Sequence, residues 1–151
     1  MNQQGDLLKA LKEDENWWTL YTDGASRGNP GSSGAGAVLK NPEGLPLAEI
    51  SQPLGRATNN EAEYHALILG LEEAQRFGAA RLKVMSDSEL VVKQVKGLYR
   101  VKNQRLQPLH SRVMTLLQDL DAYDILHIRR EFNKEADKLA STAASNGPRK
   151  K

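Results

Sequence analysis

Apolar and polar positions change period several times along this chain, and each change marks an element. The run Trp17-Trp18-Thr19-Leu20-Tyr21-Thr22-Asp23-Gly24 is aromatic and β-branched and is cut by a glycine, which predicts a strand over 17–24. Segments 33–40 and 46–53 complete an antiparallel three-stranded start. Thr58, Asn59 and Asn60 then supply helix-capping side chains ahead of an Ala/Leu-rich run. In that run Ala66, Leu67, Gly70, Leu71, Ala74 and Phe77 recur at helical spacing, predicting a helix over 60–77. A short strand at 82–86, helices near 88–97 and 103–119, a strand at 124–129 and a helix at 134–145 follow. The helix between the first strands and 82–86 implies a right-handed crossover, which sets that strand parallel to the first. The expected architecture is a three-layer α/β fold with a five-stranded mixed sheet flanked by helices.

Four acids sit at these transitions. Asp23 ends or nearly ends the first strand, and the segment after it holds five of the twelve glycines, so backbone there either approaches a ligand or another element closely or forms a flexible hairpin loop. Glu63 continues the apolar stripe of the 60–77 helix, whereas Glu61 falls roughly 200° round the wheel. A carboxylate in a packed stripe is costly unless a cation faces it, while Glu61 has the ordinary place of a first-turn acid favoured by the helix dipole. Asp87 closes the strand Arg81-Leu82-Lys83-Val84-Met85-Ser86, where an N-cap is the plain alternative. With parallel strands, Asp23 and Asp87 meet at neighbouring carboxyl ends, where open α/β sheets place their sites. Asp137 lies one turn inside the last helix, behind the capping residue Asn133, and by itself reads equally as solvated surface.

Taken in order, these segments resemble type 1 ribonuclease H. The matching text is Tyr21-Thr22-Asp23-Gly24-Ala25-Ser26, Gly28-Asn29-Pro30-Gly31, Thr58-Asn59-Asn60 with Glu63, Ser86-Asp87-Ser88, and Asn133 with Ala136-Asp137-Lys138-Leu139-Ala140. The likeness spans about residues 17 to 145, a ribonuclease H-like catalytic domain between a 1–16 extension and a basic 146–151 tail. It implies that Asp23, Glu63, Asp87 and Asp137 are metal-binding catalytic carboxylates. It implies that Asn29, Asn59 and Asn60 contact 2′-hydroxyls and the minor groove of an RNA/DNA hybrid, and that Arg56 and Thr58 grip a DNA-strand phosphate. The activity implied is endonucleolytic hydrolysis of the RNA strand, leaving 5′-phosphate and 3′-hydroxyl ends.

Two features depart from the family pattern. The stretch between Asp87 and Asp137 is too short for the extra basic helix and loop that some members carry. Residues 90 to 118 nevertheless contain no acid, and Lys96, Arg100, Lys102 and Arg105 form either a solvated face or a track for a phosphate backbone. The histidine that many members carry before the last helix is also missing. The loop Arg130-Glu131-Phe132-Asn133 offers Arg130 or Glu131 in its place, and His127 sits within a strand run.

Composition narrows the chemistry. The chain has no cysteine and no clustered histidine, so oxygen-seeking Mg²⁺ (or Mn²⁺) is implied over Zn²⁺. Two such ions roughly 3.5–4 Å apart would serve a phosphodiester displacement. At 151 residues and 39% hydrophobic content it is one soluble domain, expected to be a cytoplasmic monomer with no membrane partner. A net charge of +2 is too small to announce nucleic acid, and double-stranded RNA joins the hybrid as a candidate substrate. An actin-like ATPase needs two such domains. A non-catalytic nucleic-acid-binding module on the same fold remains the alternative, against which four carboxylates argue because without metal they repel phosphate.

Overall fold

A computed structural model describes residues 16–146; the Leu7-Leu8-Leu11 segment and the Arg149-Lys150-Lys151 tail lie outside the described residues. Five strands form one sheet: β1 (Trp17–Gly28), β2 (Gly31–Lys40), β3 (Pro46–Ala57), β4 (Arg81–Ser86) and β5 (Ala122–His127). Their order is β3-β2-β1-β4-β5. The first three pair antiparallel, and β4 and β5 join parallel to β1, as the crossover rule requires. The described residues also form four α-helices: α1 (Asn59–Arg76), α2 (Glu89–Val95), α3 (Gln107–Gln118) and α4 (Lys134–Ser145). A 3₁₀ turn at Arg130–Phe132 precedes α4.

The main core lies between one face of the sheet and α1, α2 and α3. Leu20, Val84 and Ile125 rise from the sheet to meet Leu67 and Leu71 of α1, Val91 and Val95 of α2, and Leu117 of α3. Each such side chain contributes about 1.5–3 kcal/mol on burial. Among the described residues α4 alone covers the opposite face. Its buried residues are Ala136, Ala140, Ala143 and Ala144, and they meet a strand whose inward positions are Gly34 and Gly36. A methyl group on Gly36 would stand 2.2 Å from the Ala136 carbonyl oxygen and 2.5 Å from the Ala140 nitrogen. Helix and strand therefore touch backbone to backbone, which is why β2, covered on both sides, holds only Gly, Ser and Ala from residue 31 to 37.

Several boundaries differ from the sequence expectation for one reason. Glycines between 24 and 36 do not make a loop: β1 runs on past Asp23, paired with β2 until Gly28 faces Gly31. The missing side chains admit α1 and α4, and a methyl on Gly24 would lie 2.3 Å from the Glu63 nitrogen. Helix α3 starts at Gln107 rather than 103, with Pro108 in its first turn, where proline is tolerated. Phe77, expected on the α1 stripe, lies beyond the helix and is exposed.

Candidate active site

The pairing of β1 with β4 ends at Thr22 and Ser86, while β1 continues along β2. Asp23 is thus the first residue of β1 beyond its parallel neighbour, and Asp87 the first residue after β4. The two stand side by side at the carboxyl edge of the sheet. Asp87 is not an N-cap: Ser88 caps α2 by accepting from the Val91 N–H at 3.3 Å, which leaves the Asp87 carboxylate for the cluster.

Glu63 arrives from the first turns of α1. That helix begins with a capping box in which Thr58 Oγ1 accepts from the Glu61 N–H at 3.1 Å and Glu61 Oε1 accepts from the Thr58 N–H at 3.0 Å. Glu61 is thereby consumed by the cap, and the Thr58 hydrogen bonds hold its carboxyl below the usual range. Glu63 points to the sheet instead, where the Gly24 N–H donates to its carboxylate. One oxygen each of Asp23, Glu63 and Asp87 lie within 4.8 Å of one another.

The fourth acid comes from α4. The Asp137 N–H donates to the Asn133 carbonyl at 3.0 Å, and its carboxylate accepts from Arg130 Nη2 at 3.4 Å. Asn133 departs from the expected role, since its side chain makes no cap. It is buried, and its Nδ2 donates to the Thr22 carbonyl at 2.9 Å, tying the start of α4 to the strand residue before Asp23.

Electrostatically the cluster is poised for a cation. Burial raises the Asp23 pKa far above its ordinary value, and the Glu63 and Asp87 charges raise it further. Burial raises Glu63 as well, against the Asp23 and Gly24 hydrogen bonds that favour its charged form. Like charges this close cannot all ionise unaided. The donor set is all carboxylate oxygen, and no histidine among the described residues joins it. That set fits a hard divalent ion.

These side chains sit in an open cleft of about 600 Å³. Asn59 and Asn60 form its wall at the start of α1, and the Asn59 N–H donates to Asn29 Oδ1 at 3.1 Å, joining two of the expected substrate contacts. Arg56 is exposed near the end of β3, one residue before Ala57, whose carbonyl accepts from Ser26 and Ser33. The cleft also takes in Arg27, Ser88, Arg130 and Ser141. Of these, Arg27 was hidden because its segment read as loop, whereas strand alternation from Asp23 would have placed it on the same face. Lys96, Arg100, Lys102 and Arg105 are exposed in and before the α2–α3 connection, outside this cleft. Arg105 lies near enough to Glu61 to favour its charged form.

The reverse transcriptase-like protein family matches residues 21–143. The crystal structure of RNase H1 from the archaeon Halobacterium salinarum superposes with a TM-score of 0.84 at 41% identity, over 87% of this chain and 99% of that one. The chain belongs to the ribonuclease H family. A second ribonuclease H neighbour is LC11-RNase H1 in complex with an RNA/DNA hybrid, with a TM-score of 0.80 and 38% identity over 85% and 96% of the two chains. Ribonuclease HI of Halobacterium salinarum is 44% identical over 123 residues, 82% of this chain. This chain spans 62% of the length of that relative. The ribonuclease H fold accounts for the mixed sheet. No helix among the described residues of this ribonuclease H-family chain is long and apolar enough to cross a membrane.

Proposed function

We propose that this protein hydrolyses the RNA strand of RNA/DNA hybrids by a metal-dependent endonucleolytic reaction, leaving 5′-phosphate and 3′-hydroxyl ends. The observation that carries this reading is the convergence of Asp23, Glu63 and Asp87 within 4.8 Å at the sheet edge. Buried acids raised by one another are a costly arrangement, and a divalent cation offsets that cost.

Asp23, Glu63, Asp87 and Asp137 would hold Mg²⁺ or Mn²⁺, two ions with substrate bound, which supply a nucleophilic water and charge stabilisation for an in-line displacement. The protein's own contribution is placement. The Gly24 N–H orients Glu63, Ser88 frees Asp87 by taking over the cap, and Asn133 fixes α4 against β1 so that Asp137 faces Asp23. Arg130 stands where the family's loop histidine is missing. A guanidinium stays protonated and cannot ferry a proton as imidazole can, so Arg130 acts by charge, holding Asp137 and meeting a phosphate.

Asn29, Asn59 and Asn60 would read the minor groove and its 2′-hydroxyls, supported by the place of Asn59 and Asn60 in the cleft wall and by the Asn59–Asn29 hydrogen bond. Arg56 and Thr58 would take a phosphate of the DNA strand. Thr58 Oγ1 accepts the Glu61 N–H and the Thr58 N–H is donated to Glu61, so the residue offers its hydroxyl proton to that phosphate. Lys96, Arg100, Lys102 and Arg105 would extend the grip along the duplex. Because all four acids come from one chain, a monomer suffices.

The test is incubation of the protein with end-labelled hybrid, duplex RNA and duplex DNA in Mg²⁺ or Mn²⁺. Cleavage confined to the RNA strand of the hybrid, with 5′-phosphate products, is expected. Cutting of duplex RNA as well would widen the substrate class. Binding of hybrid without any cleavage, and no heat on titration with Mg²⁺, would support a non-catalytic module instead.

A further inference from the structure

The cleft does not end at the carboxylates. Along β1, side chains alternate, and Asp23, Ala25 and Arg27 share the face on which α4 lies, since their partners are Gly36, Gly34 and Ser32. From Asp23 to Arg27 is about 13 Å of strand at roughly 3.3 Å per residue. Beside it, Asp137, Ser141 and Ser145 follow one another at helical spacing on α4, and Asp137 to Ser145 is about 12 Å at 1.5 Å per residue. The two elements therefore run alongside each other, acid opposite acid at one end and Arg27 opposite Ser145 at the other.

That far end is built to hold a cation in place without neutralising it. Arg27 Nη2 donates to Ser145 Oγ, while the Ser145 hydroxyl donates its own proton to the Ser141 carbonyl at 2.9 Å. The acceptor is neutral, and among the described residues no carboxylate pairs with Arg27, which is exposed and lines the cleft. A guanidinium has five N–H donors, so donors remain beyond the one Ser145 takes, on an exposed side chain that lines the same cleft as the acids.

We propose that Arg27 binds a backbone phosphate of the RNA strand two to four nucleotides from the scissile one, a contact that rests on the nuclease function proposed above. The span follows from about 13 Å of strand set against roughly 3.4 Å of helix axis per nucleotide, shortened by the winding of the backbone. The strand follows from Arg27 lying in line with Asp23, so that the backbone crossing the acids is the one that reaches it.

The experiment uses hybrids in which one phosphate at a time is replaced by an uncharged methylphosphonate, scanned along both strands. Binding is measured in an Asp87→Asn background with and without Arg27→Ala, and cleavage is followed in the wild-type background. The expected Kd of the Arg27→Ala protein is about threefold to tenfold higher for unmodified hybrid, with the salt slope reduced by about one. Its kcat at saturating hybrid should stay within about twofold while KM rises, because a distant phosphate contact adds affinity and not chemistry. One RNA-strand position should weaken binding when Arg27 is present and have no further effect when it is absent. Arg76→Ala, a cation at the far end of α1, is the control and should change neither quantity. An active wild-type enzyme whose scan shows no position coupled to Arg27, or one coupled only on the DNA strand, overturns this proposal and leaves the nuclease reading intact. A wild-type protein that cuts no hybrid overturns that reading itself.

Discussion

Replacing Gly36 by Ala adds one methyl group to the strand residue paired with Asp23, under α4, and it should cost both stability and rate. The new carbon would lie 2.2 Å from the Ala136 oxygen and 2.5 Å from the Ala140 nitrogen, where ordinary contact begins at 3.4 Å. Both atoms are helix backbone, so no rotamer can relieve the contact and α4 must retreat by about 1 Å. Overpacking of this kind costs about 1–3 kcal/mol. For a domain of this size that is a fall in Tm of roughly 3–10 °C. The retreat carries Asp137 with it, and a misplacement of about 1 Å in a reacting geometry can lower the rate about a hundredfold. Melting curves and single-turnover cleavage of a hybrid read the two effects. Gly44→Ala is the companion: Gly44 has φ +84 with nothing within 4 Å, so it should lose about 1–2 kcal/mol from backbone conformation alone and keep its rate. An Ala140→Gly second change should not rescue Gly36→Ala, since the obstructing atoms are backbone. Wild-type Tm and rate in Gly36→Ala would refute backbone contact between α4 and β2.

Asp23→Asn and Asp87→Asn should each abolish cleavage while leaving the fold intact, measured by turnover and circular dichroism. In metal-free buffer Asp23→Asn should also melt higher than wild type, increasingly so as pH rises above the ordinary Asp value of 3.8. The folded state holds the Asp23 proton that the unfolded chain gives up, so wild-type stability falls with pH; a Tm difference that shrinks between pH 5 and 9 would contradict this. Glu63→Gln should be inactive and Glu61→Gln near wild type, because glutamine still serves a capping box and Glu61 faces away from the cluster; kcat/KM of the two variants decides it. Neutralising Lys96, Arg100, Lys102 and Arg105 together should weaken hybrid binding and flatten its salt dependence in a catalytically inactive background; an unchanged slope would make them a solvated face.

The order of elements was readable from periodicity because each strand and helix buries an apolar face, and the crossover rule then fixed β4 parallel to β1. Convergence of Asp23 and Asp87 followed from that topology. The register of α1 separated Glu63 from Glu61 because the stripe through Leu67 and Leu71 had to meet the sheet. What could not be read was anything decided by contact between distant backbones. Gly34 and Gly36 fall within the strand expected over 33–40, yet only the arrival of α4 shows why they are glycine, and nothing local carries β1 on from Gly24 to Gly28. Asn133 reads as a cap from its neighbours, yet its amide reaches Thr22 across the fold. An N-cap is the plain alternative for Asp87 in sequence, and the geometry after β4 gives that task to Ser88.

The acids belong to β1, α1, the end of β4 and α4, elements drawn from nearly the whole length of the domain. No hairpin or helical fragment brings even two of them together, so the unfolded chain has no preformed site and a cation selects the native state alone. Binding then adds to global stability by mass action, about 2.7 kcal/mol at a hundred times the dissociation constant. The reverse also holds by linkage. Any core substitution that raises the unfolded fraction draws on the same equilibrium, so damage at Leu20 or Leu117 surfaces as a weaker apparent affinity for metal.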